Sequence, residues 1–331
     1  MKNPTPDIPI TVEDIRVASR RIKPYVLRTP LIQSCYLSEK CSVPVLLKLE
    51  CLQPTGSFKV RGATNLLLQL TPEEKQRGVI TVSSGNHGKA LAYTAARLGI
   101  PATIFLSKHT PKNKVEAIRK TGATTMVTGD CYDEAEAAAA EYEQQHNLVH
   151  IPSFDNLQII SGQGTIALEI FDDAPETRHV IFPLSGGGMG AGIGIVARNQ
   201  EPPAQIWGVS MERAPVMVRS LESGKVLILP EEETLADGLK GGLGIVNKYT
   251  FKLCQKLVDH TVLVSEEEIG MAIAFLYQEH HLVVEGSGAV GVAALLSGKV
   301  TPEEPAVVVI SGSNIDLPVL LELVEKYSGL F

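Results

Sequence analysis

The chain has 331 residues, 44% of them hydrophobic, a formal net charge of -7 and five cysteines. That length and apolar content suffice for a large core and favour two lobes over one. The acidic balance and the scattered Lys and Arg exclude an electrostatic case for nucleic acid or an anionic membrane as partner, and a small-molecule enzyme fits better.

Cys35, Cys41, Cys51, Cys131 and Cys254 form no CxxC pair and no spacing with His that would build a zinc site, so they read as reduced thiols. Residues 1–10 are polar and proline-containing where a signal peptide needs an apolar run. No later stretch has the roughly twenty apolar residues of a membrane span, so a cytoplasmic protein is expected.

In chain order, Thr11 with Glu13 and Asp14 ahead of Ile15, Val17 and Ala18 predicts a capped helix that ends before Pro24, and Arg28-Thr29-Pro30-Leu31 breaks it. Residues 43–49 read as a strand leading into Pro54-Thr55-Gly56-Ser57-Phe58-Lys59-Val60-Arg61-Gly62-Ala63. Here a Gly-Ser turn sets one lysine at the first turn of a helix that continues through Asn65, Leu66, Leu67, Leu68 and Leu70. Desolvated beside Phe58 and near the positive end of the helix dipole, Lys59 would favour its neutral, nucleophilic amine, the form that makes Schiff bases. The plain alternative is a solvated helix lysine. Pro72-Glu73-Glu74 opens a further short helix.

From Gly78 a strand, turn and helix alternate. Residues 79–82 precede Ser83-Ser84-Gly85-Asn86-His87-Gly88 and an alanine-rich helix to Leu98; a strand at 102–106 precedes a helix at 111–120, one at 124–127 precedes a helix at 133–145, and 148–151 closes the set. A second run follows Gly162-Gln163-Gly164, with a helix at 165–171, a strand at 180–184, the turn Ser185-Gly186-Gly187-Gly188-Met189-Gly190-Ala191-Gly192, a helix at 193–198, and strands at 206–209, 262–264 and 307–310. Strands separated by helices of this length imply right-handed crossovers and parallel pairing. The expected fold class is α/β in two lobes, each with a mostly parallel sheet flanked by helices. Residues 78–152 would form a small lobe inserted into a larger one made of 1–77 and 153–331. Residues 224–244 are the most loop-like.

Three turns besides the lysine could carry chemistry. The glycine run at 185–192 follows a strand and opens a helix, where free backbone amides make a phosphate cradle or simply a tight turn. Gly186, Gly188 and Ala191 also fit a GxGxxA dinucleotide pattern with Glu212 near the ribose position, which keeps an NAD(P)-dependent oxidoreductase open. The 83–88 turn could hold a carboxylate on its amides and reach a cofactor ring with its side chains, or be a capped turn with a packed histidine. Ile310-Ser311-Gly312-Ser313-Asn314 ends a buried strand, where parallel sheets present ligands. His280-His281 beside Glu279 reads as surface and Glu266-Glu267-Glu268 as a helix N-terminal charge cluster, so no metal is expected.

In their order along nearly the whole chain, the Ser-Phe-Lys turn, the Ser-Gly-Asn-His-Gly turn, the glycine loop and the terminal Ser-Gly-x-Asn resemble the fold-type II pyridoxal-phosphate enzymes, which are tryptophan synthase β-like. Within them the likeness is to the threonine/serine dehydratase and serine racemase group. The resemblance implies pyridoxal phosphate as cofactor, held on Lys59 as a Schiff base, with Lys59 then acting as base at Cα. Phe58 would pack by the ring, Asn86 would bond its phenolic oxygen, Gly186, Gly187, Gly188 and Met189 would cradle the phosphate, and Ser311 would bond the pyridine nitrogen. Ser83, Ser84, Gly85 and His87 would hold the substrate carboxylate, with Ser84 on the face of Cα opposite Lys59.

The implied activity is an ammonia-lyase that takes a β-hydroxy amino acid to a 2-oxo acid, with serine racemisation as the alternative and a homodimer as the implied assembly. Val60-Arg61 after the lysine resembles the dehydratase form, whereas threonine and cysteine synthases usually carry Asp there. No regulatory extension follows Phe331, which argues against the allosteric biosynthetic form.

The sequence departs from the family pattern in three places. Glu212 matches the first acid of a family divalent-metal site, but Arg213-Ala214-Pro215-Val216-Met217-Val218 supplies no second. Ser313 stands where glycine is usual, and Glu285-Gly286-Ser287-Gly288-Ala289 replaces a Glu-Pro start. With Ser210-Met211-Glu212-Arg213, Thr234-Leu235-Ala236-Asp237 and Gly241-Gly242-Leu243-Gly244, the last of these looks most like the subgroup called hydroxyectoine utilization dehydratase.

Overall fold

The computed structural model describes residues 8–110, 112–130, 132–244 and 246–331, so the expectations for residues 1–7, for Pro111 and for Cys131 lie outside it. Thr11 caps α1 (Val12–Ile22) in a reciprocal box with Asp14, which satisfies helix amides that have no partner within the helix. Next come β1 (Leu31–Gln33), α2 (Cys35–Cys41) and β2 (Val45–Lys48). A turn leads to α3 (Lys59–Leu68), and Thr71 and Glu74 form a second capping box for α4 (Pro72–Arg77).

The alternating run follows as β3 (Val79–Val82), α5 (Asn86–Leu98), β4 (Ala102–Leu106), α6 (Lys112–Arg119), β5 (Thr124–Val127), α7 (Tyr132–His146) and β6 (Val149–His150). Beyond it lie α8 (Leu157–Asp173), β7 (His179–Pro183), α9 (Gly188–Ala197), β8 (Gln205–Met211), α10 (Val216–Ser223) and α11 (Thr250–Leu257). The chain closes with β9 (His260–Val264), α12 (Glu266–His280), α13 (Gly286–Leu296), β10 (Ala306–Val309) and α14 (Leu317–Lys326).

These strands make two sheets. β5-β4-β3-β6 is parallel throughout, and β1-β2-β10-β7-β8-β9 is parallel except for the β1–β2 edge. β10, last in the chain, lies between β2 and β7, with Ala306 opposite both Val45 and His179. The segments leaving β2, β7 and β10 therefore emerge at one edge, where open α/β sheets gather ligands. β3, β7 and β10 are buried along their whole length, which is why they are apolar but for Thr81 and His179. No helix among the described residues is long and apolar enough to cross a membrane. Cys51 and Cys254 are free and buried, and desolvation pushes both thiols up to about 12.

The structure corrects three expectations. Gly162-Gln163-Gly164 is not a turn before a helix: α8 already begins at Leu157, capped by Asn156, and Gly162 lies where α8 crosses α3. A Cβ there would stand 2.6 Å from Gly62 Cα, so the small residues serve backbone contact and override their poor helix propensity. Likewise α9 starts at Gly188, so Gly188, Gly190 and Gly192 are already helical and only residues 185–187 form the loop. His280 is half-buried rather than on the surface, with Nε2 2.9 Å from Ser34 Oγ and its ring edge-on to Phe275.

Beneath the Lys59 turn lies a buried cluster of two cations and two anions. Arg61 donates from Nε and Nη2 to both Glu50 oxygens, each at 2.7 Å, and from Nη1 and Nη2 to both Glu169 oxygens at 2.7 and 2.8 Å. Lys48 Nζ donates to Glu169 Oε2 at 2.6 Å and to the Thr29 carbonyl at 2.7 Å, and the Thr29 hydroxyl donates to Glu50 at 2.6 Å. Burial would raise the Glu50 carboxyl, but Arg61, Lys48 and Thr29 outweigh it and hold the group below the usual carboxylate range. Arg61→Met keeps the volume and strands the two carboxylates with one lysine, which should cost about 3–5 kcal/mol and bring the urea midpoint earlier. An unchanged midpoint would contradict a closed, desolvated cluster.

Candidate active site

Lys59 is the first residue of α3, and the turn before it is stitched to the loop after β10. Gly56, at φ +71, accepts from Ser313 N at 2.8 Å; Ser57 bridges Gly312; and Phe58 N donates to the Ser311 carbonyl at 3.0 Å. Ser313, the departure from glycine, donates its hydroxyl to Cys51 O at 2.9 Å and so tightens the same seam. Lys59 Nζ donates to Ser153 O at 3.1 Å and lies 5.3 Å from the Phe58 ring centroid. The side chain is half-buried, and desolvation pushes its pKa down to about 8, so the neutral amine is accessible near neutral pH.

The β3–α5 turn presents Ser84 and Gly85 exposed, with Ser83 and Asn86 half-buried. Gly85 caps α5 without a side-chain bond, which leaves the first amides of that helix open. His87 is buried, its Nε2 3.0 Å from the Ile151 carbonyl. Because a carbonyl only accepts, Nε2 carries the proton. Burial and the nearby Lys59 push the imidazole pKa down to about 3, so it stays neutral. What His87 offers the turn is its backbone N–H, not its ring.

On the other side, Gly187 at φ +84 opens α9 with no side-chain cap, and the first helical bond is Ala191 N to Gly187 O at 2.9 Å. The amides of Gly188, Met189 and Gly190 precede that bond and point out of the helix end. Met189 itself is buried in the core, so only its backbone faces the turn. Ser185 Oγ donates to Leu239 O at 2.9 Å.

Sequence reasoning missed the strip that joins these pieces. Ser153 takes the Lys59 ammonium, the Phe154 ring lies directly over Gly186, and Asp155 accepts the amides of Lys248, Tyr249 and Thr250 at 2.6, 2.9 and 2.8 Å, bracing the start of α11. It named Glu285 only as the start of a departing motif and gave it no role, whereas Glu285 is a buried acid that accepts from Asn86 Nδ2 at 2.6 Å. A Pro-Ser-Phe-Asp-Asn run ahead of a helix was the available signal for the strip. Glu285 had none beyond its place before Gly286. Glu212, by contrast, sits 3.4 Å from Lys299 Nζ, which also donates to Glu268 at 2.7 Å.

Residues 22–312 match the model of the family described as pyridoxal-phosphate dependent enzyme. The chain belongs to that family. It is 42% identical to an L-threonine ammonia-lyase of Geobacter sulfurreducens, over 94% of this chain and 77% of that one. The solved structure of maize serine racemase superposes with a TM-score of 0.89 at 33% identity, covering 96% of this chain and 97% of that one. Threonine deaminase isoform 2 from Solanum lycopersicum, in its processed form, gives 0.88 at 34%, covering 96% and 92%.

The cofactor of this pyridoxal-phosphate enzyme is thus pyridoxal phosphate, and the residues present fit it. A lysine amine is shifted toward its neutral form, a glycine helix start is left without a side-chain cap, and Ser57 Oγ is buried without a partner. A neutral amine is needed for capture, and its fraction grows with pH up to the pKa. Uptake of pyridoxal phosphate by the apoprotein should therefore accelerate roughly tenfold per pH unit and level off near the Lys59 value of about 8. A rate that still climbs at that slope beyond about pH 9 would show an amine of ordinary basicity.

Proposed function

We propose that the protein is an ammonia-lyase that converts a β-hydroxy amino acid of the threonine or serine type to a 2-oxo acid, releasing water and ammonia. The observation that carries this reading is Lys59, a half-buried amine shifted to about 8 whose acceptor Ser153 adjoins Phe154, the ring over Gly186 ahead of α9. Pyridoxal phosphate supplies an electron sink conjugated to the substrate Cα. Lys59 would hold the group in the resting enzyme and, once displaced, take the Cα proton on Nζ.

The backbone amides of Gly186, Gly187, Gly188 and Met189 would hold the phosphate at the positive end of α9. Phe58 would flank the ring, and Asn86 would donate to its phenolic oxygen. Ser311 would meet the ring nitrogen with a neutral hydroxyl, which does not fix a proton there as a carboxylate would. The sink is then weak, and prompt loss of the β-hydroxyl is favoured over slower outcomes. Ser83, Ser84, Gly85 and the backbone N–H of His87 would bind the substrate carboxylate at the start of α5. The released enamine tautomerises to an imine and hydrolyses in water.

Within this class we read the substrate as an intermediate of hydroxyectoine breakdown, supported by the 210–213, 234–237, 241–244 and 284–289 motifs. The enzyme would work as a cytoplasmic homodimer. Residues 78–152 would carry the substrate carboxylate, and 1–77 with 153–331 the cofactor. Serine racemisation is the second reading, favoured by Ser84, exposed at the end of β3, and by the likeness to maize serine racemase. The NAD(P) reading of the glycine loop has less support, because Glu212 is engaged with Lys299 and the family match is to pyridoxal-phosphate enzymes.

A panel of β-hydroxy amino acids tests the reading, with 2-oxo acid, ammonia and the chirality of remaining substrate all measured. Equal release of oxo acid and ammonia from at least one of them, with little inversion, is expected. Inverted substrate without oxo acid would favour the racemase. Colourless protein that stays so with pyridoxal phosphate and binds NADH would overturn both.

A further inference from the structure

Four side chains from α5, the loop after β10 and the start of α13 form a polar chain. Lys89 Nζ donates to Asn314 Oδ1 at 2.6 Å, Asn314 Nδ2 donates to the Thr55 carbonyl at 3.0 Å and to Asn86 Oδ1, and Asn86 Nδ2 donates to Glu285 Oε1 at 2.6 Å. The orientation of both amides follows from the groups at the ends. An ammonium only donates, and a peptide carbonyl and an ionised carboxylate only accept. Asn314 must therefore turn its oxygen to Lys89 and its NH2 to Thr55, which obliges Asn86 to turn its own oxygen to Asn314 and its NH2 to Glu285.

Glu285 is held in place as well. A Cβ on Gly312 would overlap Glu285 Oε1, so glycine leaves the carboxylate its room, and Glu285 N donates to Gly312 O at 3.1 Å. With one amide hydrogen on Glu285, Asn86 keeps the other for a further acceptor.

We propose that Lys89, Asn314 and Glu285 are positioning residues that lock the Asn86 amide so that its donating end meets the ring oxygen of the cofactor. The chain runs from cation to anion, and each bond in it polarises the next. Lys89 and Asn86 sit on α5, packed by the four-stranded sheet, whereas Asn314 and Glu285 follow elements of the six-stranded side. The same chain thus aligns α5 with the cofactor ring. The inference rests on the reading that Asn86 faces the ring oxygen.

The test uses the holoenzyme without substrate and reads the visible absorbance of bound pyridoxal phosphate and its apparent affinity. A donor at the ring oxygen stabilises the ionised, yellow form. Lys89→Met and Glu285→Gln should each weaken affinity roughly tenfold and move absorbance from the yellow toward the near-ultraviolet form, with Lys89→Arg restoring both. Asn86→Leu separates the role of the amide from that of the chain that holds it. If it leaves the spectrum as in wild type, the placement of Asn86 fails. If it shifts the spectrum while Lys89→Met and Glu285→Gln do not, the positioning chain alone is overturned. Thermal midpoints that fall without a spectral change would also overturn it, in favour of a purely structural role. Should Glu285→Gln not fold, Lys89→Met decides, since Lys89 is only half-buried.

Discussion

One guanidinium anchors the helix start that carries the Lys59 amine. Arg61 grips Glu50 on the segment after β2 and Glu169 on α8, while Lys48 closes the square from the end of β2. Four charges with almost no exposure are tolerable only because each finds its opposite at hydrogen-bond distance. Two residues before Arg61 is Lys59, so this cluster sets both the start and the direction of α3. Charge is placed where it is neutralised, and the neighbouring lysine, without such a partner, has its ammonium disfavoured by desolvation. The contrast between the two cations, one clamped and one left weakly basic, is the electrostatic design of the site.

Topology does the gathering. Because the last strand inserts between β2 and β7, the loop at 311–314 lies against the turn at 56–58, and two main-chain hydrogen bonds hold them together. The second sheet delivers the 83–88 turn from its own strand end, and the strip at 151–155 joins the two, touching His87, Lys59, Gly186 and the start of α11 in succession. Loop residues are thereby positioned by rigid elements on every side.

What the sequence discloses is local. The start of α3 at Lys59, the cap of α1 at Thr11, the helix opened by Pro72 and the buried strands are signals within a few residues of themselves, and they read correctly. The glycines of α8 and α9 misled because a helix breaker and a close-packing residue are the same letter; only Gly62 across from Gly162, and Gly164 across from Gly192, tell them apart. His280 was misread for a similar reason, since nothing near it announces Ser34, 246 positions away. Asp155, and the contact that Glu285 makes, escaped because the partners of both acids are amides from distant turns. The Lys59, 83–88, 185–192 and 311–314 segments were all legible as candidates, but their mutual distances belong to the fold.

We propose that Lys59 alone carries the cofactor. Lys89 is the natural competitor, a half-buried amine whose ammonium is also disfavoured by burial. Borohydride reduction of the holoenzyme followed by digestion and mass spectrometry locates the covalent pyridoxyl group. The label is expected on the peptide containing Lys59, at about one per chain; a label on Lys89 or another lysine, or none, would overturn the assignment.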